Sequence, residues 1–187
     1  MRWRRWGSAA LALLLCAAFL RFCVRFVPAD APTGGEHAEP APTVHLIVPV
    51  EGVAPSSLTD SFTQSRAAGA RSHNAIDIPA PQGTPVLAAS NGRIEKIFWS
   101  KAGGRTLYQR SPDGRLSYYY AHLRAYAPEL QEGQALRRGD RIGTVGSTGN
   151  ADPAAPHLHF AVHVMSPGDP WYGGRAVNPY PLLTKGR

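Results

Sequence analysis

Pro156-His157-Leu158-His159-Phe160-Ala161-Val162-His163-Val164 constrains the chain more than any other stretch, because its polar and apolar positions alternate with period two. As a β-strand it turns His157, His159 and His163 to one face and Leu158, Phe160, Val162 and Val164 to the other. Two imidazoles two positions apart start roughly 6–7 Å from each other, close enough for both to address one metal ion or its water. A histidine pair on a strand face is not by itself a metal site. Its meaning depends on what the rest of the chain supplies.

The rest reads as short strands and turns. The 187 residues fit one domain with a leader or tail more easily than two domains. With 19 Gly and 17 Pro, and no sustained helical periodicity after residue 30, the expected class is all-β. Val44 to Val50 reads as the opening strand, with His45 a filler in it. Ser61 to Ser72 reads as a loop leading to His73-Asn74-Ala75-Ile76-Asp77-Ile78. If that segment is extended, His73 and Asp77 share a face while Ile76 and Ile78 turn into a core; Pro79 and Pro81 just after it favour strand over helix. Asn91-Gly92 between two apolar runs signals a hairpin. A second hairpin is expected where Leu107-Tyr108-Gln109-Arg110 and Leu116 to Leu123 flank the Ser111-Pro112-Asp113-Gly114 turn. Alternation along its second strand puts Tyr118, Tyr120 and His122 on one face, the tyrosines as packing. Gln134 to Gly143 gives further short strands, and Val145 to Asn150 a Gly-rich turn that lacks the Gly-Lys-Ser/Thr of a phosphate loop. Pro167 to Arg175 is turn-like, and its Trp171 and Tyr172 serve either as a groove wall or as packing on the sheet.

Charge is concentrated at the start. Arg2, Arg4, Arg5, Arg21 and Arg25 precede any acid, and from residue 26 onward 15 basic residues face 13 acidic ones, a balance of only +2. The high pI therefore gives no support to a nucleic-acid partner. Residues 1–27 read as a signal peptide or membrane anchor: a basic start, then the apolar run Trp6 to Leu20, short for a full span. Cleavage after Ala31 and retention as an anchor are both open, and either one exports the domain. Both cysteines, Cys16 and Cys23, lie in this segment, so the exported part has no disulfide framework. Residues 28–43 read as a Pro/Ala-rich linker and 44–187 as the functional domain. No pro-segment is evident between residues 28 and 60, so no proteolytic activation is expected.

His73-x-x-x-Asp77, then His122, then His157-x-His159 is more specific together than any piece alone. Three ligands of the type His, Asp, His leave a fourth tetrahedral position open, the arrangement of a catalytic zinc. Two further histidines are then free to act as base, acid or oxyanion donor. Here the chain resembles the lysostaphin-type zinc peptidoglycan endopeptidases, over roughly Gly69 to Leu183. The resemblance rests on Arg71 to Ile78, Gly83-Thr84-Pro85-Val86, Tyr120-Ala121-His122-Leu123, Ile142 to Gly149, His157-Leu158-His159-Phe160 and Asn178-Pro179. It implies an antiparallel β-sheet core with a loop-walled groove, zinc on His73, Asp77 and His159, His157 as general base, and His122 stabilising the transition state. The implied reaction is hydrolysis of peptide bonds in peptidoglycan cross-bridges or stems, in the periplasm or cell envelope. The alternative is a non-catalytic exported regulator of the same fold that activates a cell-wall amidase. Ala75 and Ala161 stand where that family usually has Gly and Glu. Asp60, Asp152 and His163 are taken as loop or surface residues.

Overall fold

The computed structural model describes residues 44, 46–66 and 71–185; the leader, the linker and His45 lie outside them. Strands β1 (Ser65–Arg66) and β2 (Arg71–Ser72) form an antiparallel pair. The remaining strands are β3 (Ile76–Pro79), β4 (Pro85–Leu87), β5 (Gly92–Ser100), β6 (Gly104–Arg110), β7 (Leu116–Tyr126), β8 (Ala135–Leu136), β9 (Arg141–Val145), β10 (His157–Val164) and β11 (Arg175–Val177). They make one nine-stranded sheet in the order β11-β10-β7-β6-β5-β8, with β3 on β10, β9 on β7 and β4 on β9. Every pairing is antiparallel. Among the described residues helix is confined to Pro55–Ser57 and Tyr180–Thr184, so the all-β expectation holds.

Strand β10 organises the sheet. One edge pairs with β7 from His159 to Val164; the other pairs first with β3 and then with β11. Its Leu158, Phe160 and Val162 are fully buried and join Ile76, Ile78, Ile94, Leu107, Tyr118, Tyr120, Leu123 and Ile142 in the core. Each such side chain contributes roughly 1.5–3 kcal/mol on burial. A one-residue slip would exchange those residues for His157 and His159, so the apolar face fixes where the imidazoles point.

Besides the short β1–β2 pair inside the expected loop Ser61 to Ser72, the structure corrects four local expectations. Val44 to Val50 is not a ladder strand. It lies against two partners at once, with Leu46 N donating to Leu182 O and Ile47 N to Ala89 O, and has a single bridge at Val50. Pro49 lacks the N–H that a continuous ladder needs. Asn91-Gly92 does not close a hairpin: β4 pairs with β9, and β5 with β6 and β8. Gly92 is glycine for close approach, since a Cβ there would lie 2.3 Å from Arg110 O. The extended run through His73 is broken, because Asn74 takes φ 57° and β3 begins only at Ile76.

Fourth, His122 does not follow Tyr118 and Tyr120. Between the pairs Leu107↔Tyr120 and Arg105↔Leu123, β7 carries one residue more than β6, and His122 there adopts φ 60°. This bulge shifts the parity of the strand, leaving both tyrosines in the core and bringing His122 out on the face of His157 and His159. The hairpin around Ser111 to Gly114 forms as expected.

Candidate metal centre

Asp77 of β3 sits directly opposite His159 of β10, so both side chains rise from the same face of the sheet. Asp77 Oδ1 lies 3.0 Å from His159 Nδ1. His73, delivered by the turn at Asn74, places Nε2 3.0 Å from His159 Nδ1 and 3.0 Å from Asp77 Oδ1. The three atoms form a near-equilateral triangle. His73 Nε2, Asp77 Oδ1 and His159 Nδ1 would hold a metal ion between them, and it would supply Lewis-acid chemistry there. Two imidazole nitrogens and one carboxylate oxygen in this arrangement can hold a metal ion.

Three of the four rings are held from behind. His73 Nδ1 donates to Ser61 O at 2.9 Å, and Ser61 Oγ accepts from the Asp77 amide at 3.1 Å. The preceding Asp60 is fixed by Asn178 Nδ2, which donates to Oδ2 at 2.8 Å. His122 Nδ1 donates to Thr148 O at 2.7 Å and His157 Nδ1 to Ala155 O at 2.8 Å. A carbonyl can only accept, so in the neutral rings of His73, His122 and His157 the proton sits on Nδ1 and the Nε2 lone pair is presented outward. That is the tautomer a metal ligand or a base requires.

Electrostatics follow from this packing. Burial alone would raise the Asp77 carboxyl, but the hydrogen bonds and charge of His159 and His73 hold it well below the usual carboxylate range. Burial pushes His122 down to about 4, against the opposing pull of the Thr148 carbonyl bond. Burial also lowers His159, although Asp77 works in the other direction. At neutral pH, therefore, His122 is an uncharged acceptor at Nε2.

His73, Asp77, His122, His157 and His159 line one open cavity of about 290 Å³, together with Asn150, Ala151 and Asp152. The rings of His122 and His157 are 5.0 Å apart and those of His122 and His159 5.6 Å. Asp152 is an exposed loop residue, as expected, yet it stands in the cavity wall. His163 does not line it: its Nδ1 is buried without a hydrogen-bond partner, across the ladder from Ser117, whose Oγ is equally unpaired. Ala75 is buried and likewise outside the cavity lining. Trp171 packs on the sheet against Tyr108 and Phe98. Ser61, Thr148 and Ala155 escape the sequence reading because they act largely through main-chain carbonyls, which no side-chain pattern reveals.

With this geometry in hand, comparison with known proteins is informative. The model of peptidase family M23 matches residues 71–179. The chain is 32% identical over 120 residues to the L-Ala--D-Glu endopeptidase of Bacillus subtilis, covering 62% of this chain and 35% of that protein. It is 36% identical over 112 residues to lysostaphin of Staphylococcus simulans, covering 59% of this chain and 21% of the relative. The chain thus spans about a third or less of the length of these relatives. The solved catalytic domain of lysostaphin from Staphylococcus simulans superimposes with a TM-score of 0.58 at 30% identity, over 69% of this chain and 94% of that domain. A family match across more than half of the sequence, on a fold and a His-Asp-His centre of this kind, places the chain in peptidase family M23.

Proposed function

We propose that the protein is an exported zinc endopeptidase that hydrolyses peptide bonds in peptidoglycan cross-bridges or stems, in the periplasm or cell envelope, either secreted or anchored by its N-terminal segment. The observation that carries this reading is the triangle of His73 Nε2, Asp77 Oδ1 and His159 Nδ1, with two more outward-facing imidazoles at its edge. His73, Asp77 and His159 would hold the zinc. When bound, it supplies Lewis-acid polarisation of a carbonyl and lowers the pKa of water toward 7.

The chain's own residues do the rest. His157 Nε2, 3.8 Å from Asp77 Oδ1, is placed to take the proton of the attacking water as general base. Its Nδ1–H stays on Ala155 O, so the proton arrives at Nε2 without rotation of the ring. His122 Nε2 faces the same space from the bulge of β7. It is an acceptor while neutral, and becomes a donor to the developing oxyanion only in the form that has taken a proton from solvent at Nε2. Relatives named as an L-Ala--D-Glu endopeptidase and as a peptidoglycan DD-endopeptidase support a wall-peptide substrate.

The test is metal content and fragment release from purified peptidoglycan by the full-length chain and three variants. The parent should carry about one zinc per chain and release peptide fragments. His159→Ala should lose both. His157→Ala and His122→Ala should keep zinc but lose about 10²–10⁴-fold in rate. A parent that carries no zinc and releases nothing from walls, while stimulating a separate amidase, would establish the regulator instead.

A further inference from the structure

A chain of aromatic rings leads away from the metal centre along the same face of the sheet. Tyr119 stands edge-on to His159 at 6.0 Å between centroids, and Tyr108 lies 4.6 Å from Tyr119. Trp171 meets Tyr108 at 4.9 Å, and the outermost rings, Phe98 and Tyr172, meet Trp171 at 5.4 and 5.0 Å. The register explains the row. Tyr119 faces Tyr108 across β7 and β6, and Lys96, two residues before Phe98 on β5, faces Tyr108, so all point to the side that carries His159. Ala161, opposite Tyr119 on β10, is too small to interrupt them.

Packing accounts for the inner rings but not for the outer ones. The exposed large hydrophobic residues among those described are Phe98, Trp99 and Tyr172, at 41%, 57% and 67%. Trp99, next to Phe98 on β5, turns to the other face of the sheet, with the Arg105 guanidinium 5.5 Å from its ring. Phe98 and Tyr172 remain as open rings flanking Trp171 at the far end of the row. Aromatic surface left in water and continuous with a reactive centre marks a place for a ligand.

Building on the endopeptidase reading, we propose that Trp171, Phe98 and Tyr172 form a shelf that stacks against pyranose rings of the glycan strand while the attached peptide lies at the metal centre. The chemistry suits it: one face of a pyranose is lined with C–H groups that carry slight positive charge, and the face of an aromatic ring is negative. Distance suits it as well. The outer rings are four steps of 4.6–6.0 Å from His159. An extended peptide advances about 3.3–3.6 Å per residue, so the shelf meets whatever lies some five or six residues at most from the scissile bond. In a polymer of short peptides on a glycan, that is the sugar end.

Two measurements on the full-length chain test the shelf. In calorimetric titration with a peptide-free N-acetylglucosamine tetramer, the parent should bind, Tyr172→Ala should bind about tenfold more weakly, and Trp171→Ala should not bind; one lost ring stack is of that order. No binding by the parent, or unchanged affinity in both variants, overturns the proposal. In hydrolysis, the ratio of kcat/KM for a sugar-bearing wall fragment to that for the same peptide without sugar should fall about tenfold in a Phe98→Ala, Tyr172→Ala double variant. An unchanged ratio means that the rings only pack, and again overturns it. If the parent cleaves neither substrate, the endopeptidase reading has failed, and the tetramer titration alone decides the shelf.

Discussion

Ser117 and His163 face each other across β7 and β10 with Oγ and Nδ1 both buried and unpaired. A buried hydroxyl without a partner costs about 1–3 kcal/mol relative to one that is satisfied. Ser117→Ala should therefore leave the melting temperature unchanged or raise it; a fall of several degrees would show that the hydroxyl has a stabilising role. His163 gives a pH signature. Burial lowers its pKa from the ordinary 6.5, so as the pH drops below about 6.5 the unfolded chain takes up a proton that the folded one refuses. Stability is thus lost on acidification down to the folded-state value. With metal removed, His163→Gln should lose less in melting temperature between pH 7.5 and pH 5 than the parent does, and equal losses would rule this out. At this scale the sequence was informative for His157 and His159, whose direction follows from their apolar neighbours. It was silent on the unpaired atoms of Ser117 and His163, because satisfaction of a hydrogen bond depends on a cross-strand partner that spacing does not specify.

Elements meet behind His122. The carbonyl that anchors this ring belongs to Thr148, whose Oγ1 accepts from Arg105 N and donates to Leu123 O. The neighbouring Gly149 has φ 80°, and a Cβ on it would lie 2.2 Å from Ala102 O and 2.3 Å from Gly104 N, at the turn joining β5 to β6. Gly149→Ala cannot be absorbed without separating this turn from the loop. It should cost on the order of 2 kcal/mol or more in stability and, under the proposed function, reduce hydrolysis with metal content intact. A variant with parental rate and melting temperature would show that the loop yields. The reach of sequence reasoning is clear here too. Period two predicted the face of β10, since that strand is regular from His157 to Val164. It misplaced His122, since one bulge residue inverts every assignment beyond it. Asn91-Gly92 failed for a related reason: glycine answers to close backbone approach as well as to turns, and only the fold distinguishes the two.

For the molecule as a whole, the functional domain depends on residues that precede its motifs. Leu46, Val48, Val50 and Leu58 are buried in the same core as Phe160 and Ile78, so this stretch is not a detachable cover over the groove. Removal of residues 1–43 should leave the cooperative unfolding transition of the domain in place. Removal of residues 1–60 should abolish it, because losing several core side chains at about 2–5 kcal/mol each exceeds the stability of a typical domain. A folded product of the longer truncation would contradict the core described here. The all-β class and the members of the centre were legible from composition and from a few motifs. The contribution of Leu46 to Leu58 was not, because an irregular segment that satisfies its amides on two different partners has no period to detect.

The rings of His73, His122 and His157 are all tethered through Nδ1 to main-chain oxygens, those of Ser61, Thr148 and Ala155. No exchange of side chain can delete such a tether; only a change in the path of the chain can. The orientation of three imidazoles is thereby insulated from drift at the residues that hold them. Away from positions such as Gly149, where no Cβ fits, the surrounding loops can change side chains without turning these three rings.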